Sequence, residues 1–154
     1  MPKYYKKRFY RGSRDKYSVE QSAGRLEIPA GAQAYVKVVP DTGIGGMRKV
    51  KHLVVSVASN ESSTAGVGVS TWALVYVPQG TSVNTLNLSG GDLYEPNQFV
   101  MNCGVVDFSA GPCRFTSPVS RNLNSGDAIY LIMSNSSANA GIIGYTVRYA
   151  ITLQ

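Results

Sequence analysis

Eight short runs between Tyr17 and Leu153 are dense in Val, Ile, Tyr, Phe, Trp and Thr: YSVEQ (17–21), QAYVKVV (33–39), RKVKHLVVSVA (48–58), STWALVYV (70–77), QFVMNCGVVDF (98–108), CRFTSPVS (113–120), DAIYLIMS (127–134) and GYTVRYAITL (144–153). Branched and aromatic side chains pack well on a pleated surface, so these runs predict strands. Several alternate. In the last, Tyr145, Val147, Tyr149, Ile151 and Leu153 share one parity, while Thr146, Arg148, Ala150 and Thr152 take the other. Clusters of Pro, Gly, Asn and Ser separate the runs, and no stretch beyond about ten residues carries helical periodicity. An all-β domain of eight strands follows. The connection from 78 to 97 exceeds the roughly 12–15 residues of an ordinary loop, which favours a crossover between sheets. We therefore expect a single eight-stranded jelly-roll sandwich over residues 17–154, with an enclosed meander barrel as the alternative. Trp72, opening an apolar strand, is expected in its core.

The charge is distributed unevenly. Lys3, Lys6, Lys7, Arg8, Arg11, Arg14 and Lys16 against the single Asp15 give +6 over residues 1–16, which is the net charge of the whole chain; residues 17–154 hold eight basic and eight acidic residues. Such asymmetry points to a basic arm for a polyanion on an electrically neutral body. Beyond Met1 the arm has no aliphatic side chain with which to join a core, yet it interleaves Tyr4, Tyr5, Phe9 and Tyr10 with its cations. That mixture suits single-stranded nucleic acid. Cations neutralise phosphates with release of counterions, and rings stack on bases for about 1–3 kcal/mol each with little sequence preference. A solvated terminus is the plain alternative. The segment has no apolar stretch of the kind a secretory signal needs, and KKRFYR is a weak match to a nuclear import signal. No run approaches the ~18 apolar residues of a membrane helix, so no membrane partner is expected.

The search for a chemical site finds little. His52 is the single histidine, and the acids are scattered without a spacing that selects a pair. Asp41 in PDTG and Asp127 in NSGD are expected to cap turns through nearby backbone amides. GIGG (43–46) lacks the strand-to-helix setting and the Lys-Ser/Thr ending of a phosphate loop. Cys103 and Cys113 do not make a disulfide framework. These observations argue against an enzyme and call for no cofactor and no metal. Polar loops at 60–68, 80–92 and 135–141 are candidate receptor-binding segments, with the receptor and host unspecified. LYEPNQF offers Tyr94, Pro96 and Phe99 as candidate subunit contacts, with ordinary loop and core packing as the alternative.

MRKVKHLVVSV (47–57), WALVYVPQGT (72–81), LYEPNQFVMNCGVVDFSAGPCRFTSPVSRNLNSGDAIYLIM (93–133) and VRYAITLQ (147–154) together resemble the capsid proteins of small circular, Rep-encoding single-stranded DNA viruses of the circovirus-like kind. The resemblance spans most of residues 17–154. It implies one jelly-roll subunit, sixty copies in an icosahedral shell, a circular single-stranded DNA genome and residence in the virion, with assembly in the host nucleus or cytoplasm. It places the cations of residues 1–16 and their intervening aromatics against the genome. The arm is shorter and less arginine-rich than in many relatives. Sixty arms would supply about 360 positive charges, too few for a kilobase genome at near one-to-one neutralisation. Cations of the body, such as Arg25, Lys37, Arg48, Lys49 and Lys51, or mobile counterions would supply the rest, or the shells hold little genome. Two other functions remain open at this stage: a free single-stranded nucleic-acid-binding β-domain, and a lectin or cytokine-like jelly roll.

Overall fold

The computed structural model describes residues 17–59, 68–83, 88, 99–118 and 120–153, leaving the side chains of Phe99 and Leu153 aside. Among the described residues there are nine strands: β1 (Tyr17–Ile28), β2 (Gln33–Val39), β3 (Arg48–Ser59), β4 (Val69–Val77), β5 (Phe99–Asp107), β6 (Cys113–Ser117), β7 (Arg121–Leu123), β8 (Ala128–Ser134) and β9 (Gly141–Leu153). A 3-10 turn, Phe108–Ala110, follows β5, capped by the Asp107 carboxylate accepting from the Ser109 amide.

The strands form two antiparallel sheets. Sheet A has the order β1-β9-β3-β6, with β7 also on β3, and sheet B has the order β2-β8-β4-β5. Among consecutive strands only β4 and β5 are hydrogen-bonded neighbours, whereas a meander barrel would pair every consecutive strand. The chain instead passes back and forth between the sheets, which is jelly-roll winding. The first strand closes on the last, with Tyr17 opposite Thr152 and Ile28 opposite Gly141.

One strand more than expected is present, and its cause is local. Residues 113–123 run along β3 as β6 and then β7, pairing Leu53–Val57 and Arg48–Val50 in turn. Pro118, which has no amide to donate, lies in the gap. Opposite that gap β3 bulges: its register on β9 shifts between Lys51 and Val54, and His52 sits at φ 54. The bulge lets Val50 and then Leu53, Val55 and Val57 all face inward. A left-handed φ is costly for a side chain with a Cβ and most costly for a β-branched one. Because His52 is exposed, His52→Gly is expected to leave stability unchanged or raise it by up to about 1 kcal/mol. His52→Val should lower it by about 1–2 kcal/mol. Urea unfolding midpoints of the two variants provide the comparison.

The core lies between the sheets. Val50, Leu53, Val55, Phe115, Ile143 and Val147 of sheet A meet Val38, Trp72, Leu74, Ile129, Leu131 and Met133 of sheet B. A second cluster lies on the other side of sheet B, where Val83 and Leu88 of the long connection cover Ala73, Val75, Val77 and Ile132. The length of that connection thus has a structural use: part of it shields the apolar outward face of sheet B.

Candidate functional site

Strand parity sorts the charged side chains. On sheet A, core residues occupy one parity of each strand, so the alternate positions face outward. On β1 these are Tyr17, Val19, Gln21, Ala23, Arg25 and Glu27; their partners on β9 are Thr152, Ala150, Arg148, Thr146, Gly144 and Ile142. Beyond β9, Lys49 stands opposite Thr152, Lys51 opposite Ala150, Val54 opposite Arg148 and Ser56 opposite Thr146. On β6, Arg114 stands opposite Ser56. Five cations, Arg25, Lys49, Lys51, Arg114 and Arg148, therefore share the outward face of sheet A with one acid, Glu27.

The floor between them is low. Ala23, Ser56, Thr146 and Arg148 line an open depression of about 450 Å³ that Arg114 also borders. It adjoins a second, of about 390 Å³, lined by Arg25, Ala58, Gly144 and Thr146. At one corner the Lys51 ammonium lies 4.6 Å from the centre of the Tyr17 ring, a cation–π contact.

The outward face of sheet B is different in kind. It carries Tyr35 and Tyr130 beside Ala73, Val75 and Ile132, which Val83 and Leu88 cover, with Val105 67 % exposed near its edge. Its cation, Lys37, is paired with Asp41, the one ion pair among the described residues. Lys37 is held above its usual range chiefly by that bond, and the Asp41 carboxyl below its own. Asp41 thus answers a strand lysine more than the turn it was expected to cap. Of the five body cations singled out from sequence, Arg25, Lys49 and Lys51 share the outward face of sheet A. Lys37 lies on the other sheet, and Arg48 donates to the Pro40 carbonyl at 3.0 Å. Arg114 and Arg148 were missed. The signal for each was its parity, since Arg148 alternates with core residues on β9 and Arg114 precedes the buried Phe115.

Lys3, Lys6, Lys7, Arg8, Arg11, Arg14, Lys16, Tyr4, Tyr5, Phe9 and Tyr10 lie outside the described residues, as do Tyr94 and Pro96. Phe99 opens β5 opposite Tyr76. The segments 60–67 and most of 80–92 also lie outside. Residues 135–141 form a braced turn: the Asn135 amide donates to the Asn139 carbonyl at 2.8 Å, its carbonyl accepts from the Ser137 amide, and the residue is 2 % exposed. Both cysteines are free, Cys103 exposed and Cys113 half-buried. Among the described residues no three or more His, Cys, Asp or Glu side chains gather as a metal site would require.

The buried carboxylate, Asp127, has a structural task. It accepts from the Tyr76 hydroxyl at 2.7 Å and from the backbone amides of Asn124 at 2.8 Å and Gln79 at 3.1 Å. The turn cap read from NSGD is thus present, and it also fastens the 124–127 turn to the end of β4. Burial alone would push the carboxyl up, but the hydrogen bonds outweigh it and hold it below its ordinary value of 3.8. Burial, reinforced by the bond to Asp127, pushes the Tyr76 phenol up to about 12. A depressed carboxyl contributes stability above its unfolded value and loses it as pH falls through the folded one; a raised phenol contributes below 10 and loses it as pH climbs towards 12. Stability is therefore expected to fall below about pH 4 and again above about pH 10. Asp127→Asn, which turns an amide NH₂ towards donors, should cost about 2 kcal/mol at neutral pH and flatten the acid limb. Urea midpoints measured across pH test both.

No family model matches the chain, and no curated protein matches it in sequence. Among solved structures it is similar to the empty capsid of Triatoma virus, with a TM-score of 0.48 and 16 % identity over 90 % of each chain. It is also similar to the decameric BFDV capsid protein, with a TM-score of 0.48 and 6 % identity over 92 % of this chain and 100 % of that one. A third is the mitogen derived from Yersinia pseudotuberculosis, with a TM-score of 0.42 and 11 % identity over 83 % and 84 %. One of these names describes an empty capsid, one a decameric capsid protein and one a mitogen. Their functions do not carry across, and the reading of this chain rests on its own residues.

Proposed function

We propose that this chain is the coat subunit of a small icosahedral virion. In this reading copies of residues 17–154 tile into a closed shell, and residues 1–16 hold a single-stranded DNA genome inside it. The observation that carries the reading is charge segregation: the entire net charge of +6 resides in residues 1–16, ahead of a body whose charges balance. A neutral unit can be packed beside its twins without strong mutual repulsion, while a confined basic segment holds a polyanion to one side. The resemblance of the 93–133 block to circovirus-like coat proteins supports the same reading and extends it to sixty copies and a circular genome. Lys3, Lys6, Lys7, Arg8, Arg11, Arg14 and Lys16 neutralise phosphates, and Tyr4, Tyr5, Phe9 and Tyr10 stack on bases. Tyr94, Pro96 and Phe99 serve subunit contacts.

Electron microscopy of the purified protein, with the ratio of absorbance at 260 and 280 nm, tests the proposal. Uniform closed particles that carry nucleic acid are expected. A species that stays monomeric at all salt and protein concentrations would remove the shell reading and leave a free nucleic-acid-binding domain.

A further inference from the structure

We propose that Asn102 is an edge plug: its side chain closes the open flank of β5 and keeps that strand from pairing with β5 of a second copy. The inference concerns the folded body alone and stands whether or not the chain forms shells or holds nucleic acid. Its first ground is a comparison of edges. Among the described residues sheet A ends on β1 and on β6 with β7, and sheet B ends on β2 and β5. An unpaired edge invites a further strand, and charges, prolines and bulges are what discourage it. β1 carries Glu20, Arg25 and Glu27. β2 carries Lys37, bulges between Lys37 and Val39 and runs into Pro40. Pro112 and Pro118 flank β6, while Arg114 stands on β6 and Arg121 on β7. β5 bulges at Met101, where its register on β4 shifts, and from Asn102 to Val106 it holds neither a charge nor a proline. Cys103 and Val105 are exposed there, and Gly104 adds no bulk. Asp107, the first charge, is turned into its own cap, accepting from the Ser109 amide at 2.9 Å and from the Ser109 hydroxyl at 2.6 Å.

The second ground is where the Asn102 side chain goes. Its Oδ1 accepts from the Cys103 amide at 2.9 Å, and its Nδ2 donates to the Thr116 carbonyl of β6 at 2.7 Å. Backbone groups along an antiparallel strand face the partner and the open side in alternation. The Cys103 amide, taken by a side chain, faces the open side, and by the same alternation so does that of Val105. One side chain thus occupies a donor on the β5 edge and an acceptor on the β6 edge, where an incoming strand would otherwise bind. Only a carboxamide fits both: a carboxylate has no proton for Thr116, and a hydroxyl offers one atom where two, on different sheets, are needed. A second copy is the partner refused, because an open strand edge is its own complement when two copies meet antiparallel about a two-fold axis. No charge between Asn102 and Val106 would oppose that match.

The test compares Asn102→Val with Asn102→Asp in the full chain. Both lose the bond to Thr116, and both are expected to lower the urea midpoint when measured too dilute to associate. They differ at the edge. Valine leaves it bare and adds a good strand former, whereas aspartate still accepts from the Cys103 amide and sets a charge there. Asn102→Val is expected to form open-ended polymers that pellet at low speed, raise thioflavin T fluorescence above the wild-type level and show as filaments, not closed particles, in the electron microscope. Hydrogen exchange over residues 103–106 should slow in that material. Asn102→Asp should stay at the wild-type level in each of these readings. Adding Val105→Lys to Asn102→Val, a charge at a position 67 % exposed, should abolish the polymers without restoring the urea midpoint. Polymers from Asn102→Asp as well, or polymers of Asn102→Val that Val105→Lys does not suppress, would show that lost stability and not a bared edge drives association, and would overturn the proposal. An Asn102→Val chain that associates no more than wild type overturns it too.

Discussion

Removing residues 1–16 is expected to lower the salt slope of single-strand binding by about 5, because seven cations at about 0.7 counterions each leave with them. Over a fourfold change in salt, a slope of that size is worth about a thousandfold in affinity, the largest effect on binding expected for any single change to this protein. The truncation should not disturb the fold. β1, the first strand after the arm, is paired with β9 along its whole length. The two chemistries of the arm separate cleanly. Replacing Tyr4, Tyr5, Phe9 and Tyr10 by Ser should reduce affinity at every salt concentration without altering the slope, since stacking releases no counterions. At about 1–3 kcal/mol per stacked base, even one engaged ring is worth roughly tenfold or more. Replacing the cations should do the reverse, steepening nothing and flattening the salt line. Fluorescence anisotropy with dT20 reads both. An arm-deleted chain whose affinity and slope match those of the full chain would show that the arm is not the binding element.

The residual slope of the truncated chain bears on the sheet face as well. Five cations on sheet A predict a remainder of about 3.5; a remainder near zero would confine binding to the arm. Those five cations also show where sequence reasoning stops. The alternation in GYTVRYAITL was enough to place Arg148 opposite in parity to Val147 and Tyr149, and the structure has the two apolar residues buried and Arg148 exposed. Parity assigns a side chain to a face. It does not say which strands lie beside it, and Arg114 and Arg148 come to border one depression only through the placing of β3 between β6 and β9.

Propensity misled in a different way along β1. Expected to end near Gln21, the strand runs on to Ile28 through Ala23 and Gly24, residues that favour strands poorly. Pairing with β9 overrides that preference, and Gly24 is there for room: a Cβ at this position would lie 2.5 Å from the Tyr145 hydroxyl. What reads in isolation as a breaker is the clearance that a large aromatic on the next strand needs. Similarly, Arg121–Leu123, read as part of the connection after the sixth run, pairs with β3 as β7, a match decided by a partner some seventy residues away. The positions of the eight runs and their alternation were local and legible; the ninth strand, the extent of strands and the company of charges were set by long-range pairing.

Trp72→Ala is expected to destabilise the protein by about 3–5 kcal/mol, against a total of about 5–15 kcal/mol for a domain of this kind. The size follows from position. Trp72 of β4 stacks on Phe115 of β6 with ring centroids 4.0 Å apart and planes inclined by 14°, so one aromatic pair joins sheet B to sheet A. Nearby, the Asn102 side-chain amide donates to the Thr116 carbonyl at 2.7 Å, a second tie between the sheets, from β5 to β6. Truncating the indole removes the buried area of the largest side chain in the core and leaves Phe115 facing a void. The opposite error is also available. Gly104 lies against the indole in register with Trp72, and a Cβ there would stand 3.1 Å from the ring, so Gly104→Ala should cost about 1–3 kcal/mol by overpacking. Combined with Trp72→Phe, which vacates that space, Gly104→Ala should cost less than it does alone, a coupling that independent sites would not show. Urea unfolding followed by circular dichroism gives all four values. A loss below about 1 kcal/mol for Trp72→Ala, or strict additivity in the pair, would mean that the sheets are not held together through this stack. If copies tile into a shell as proposed, each sandwich must keep its shape, and Trp72→Ala should then also lower the temperature up to which particles are seen under the electron microscope.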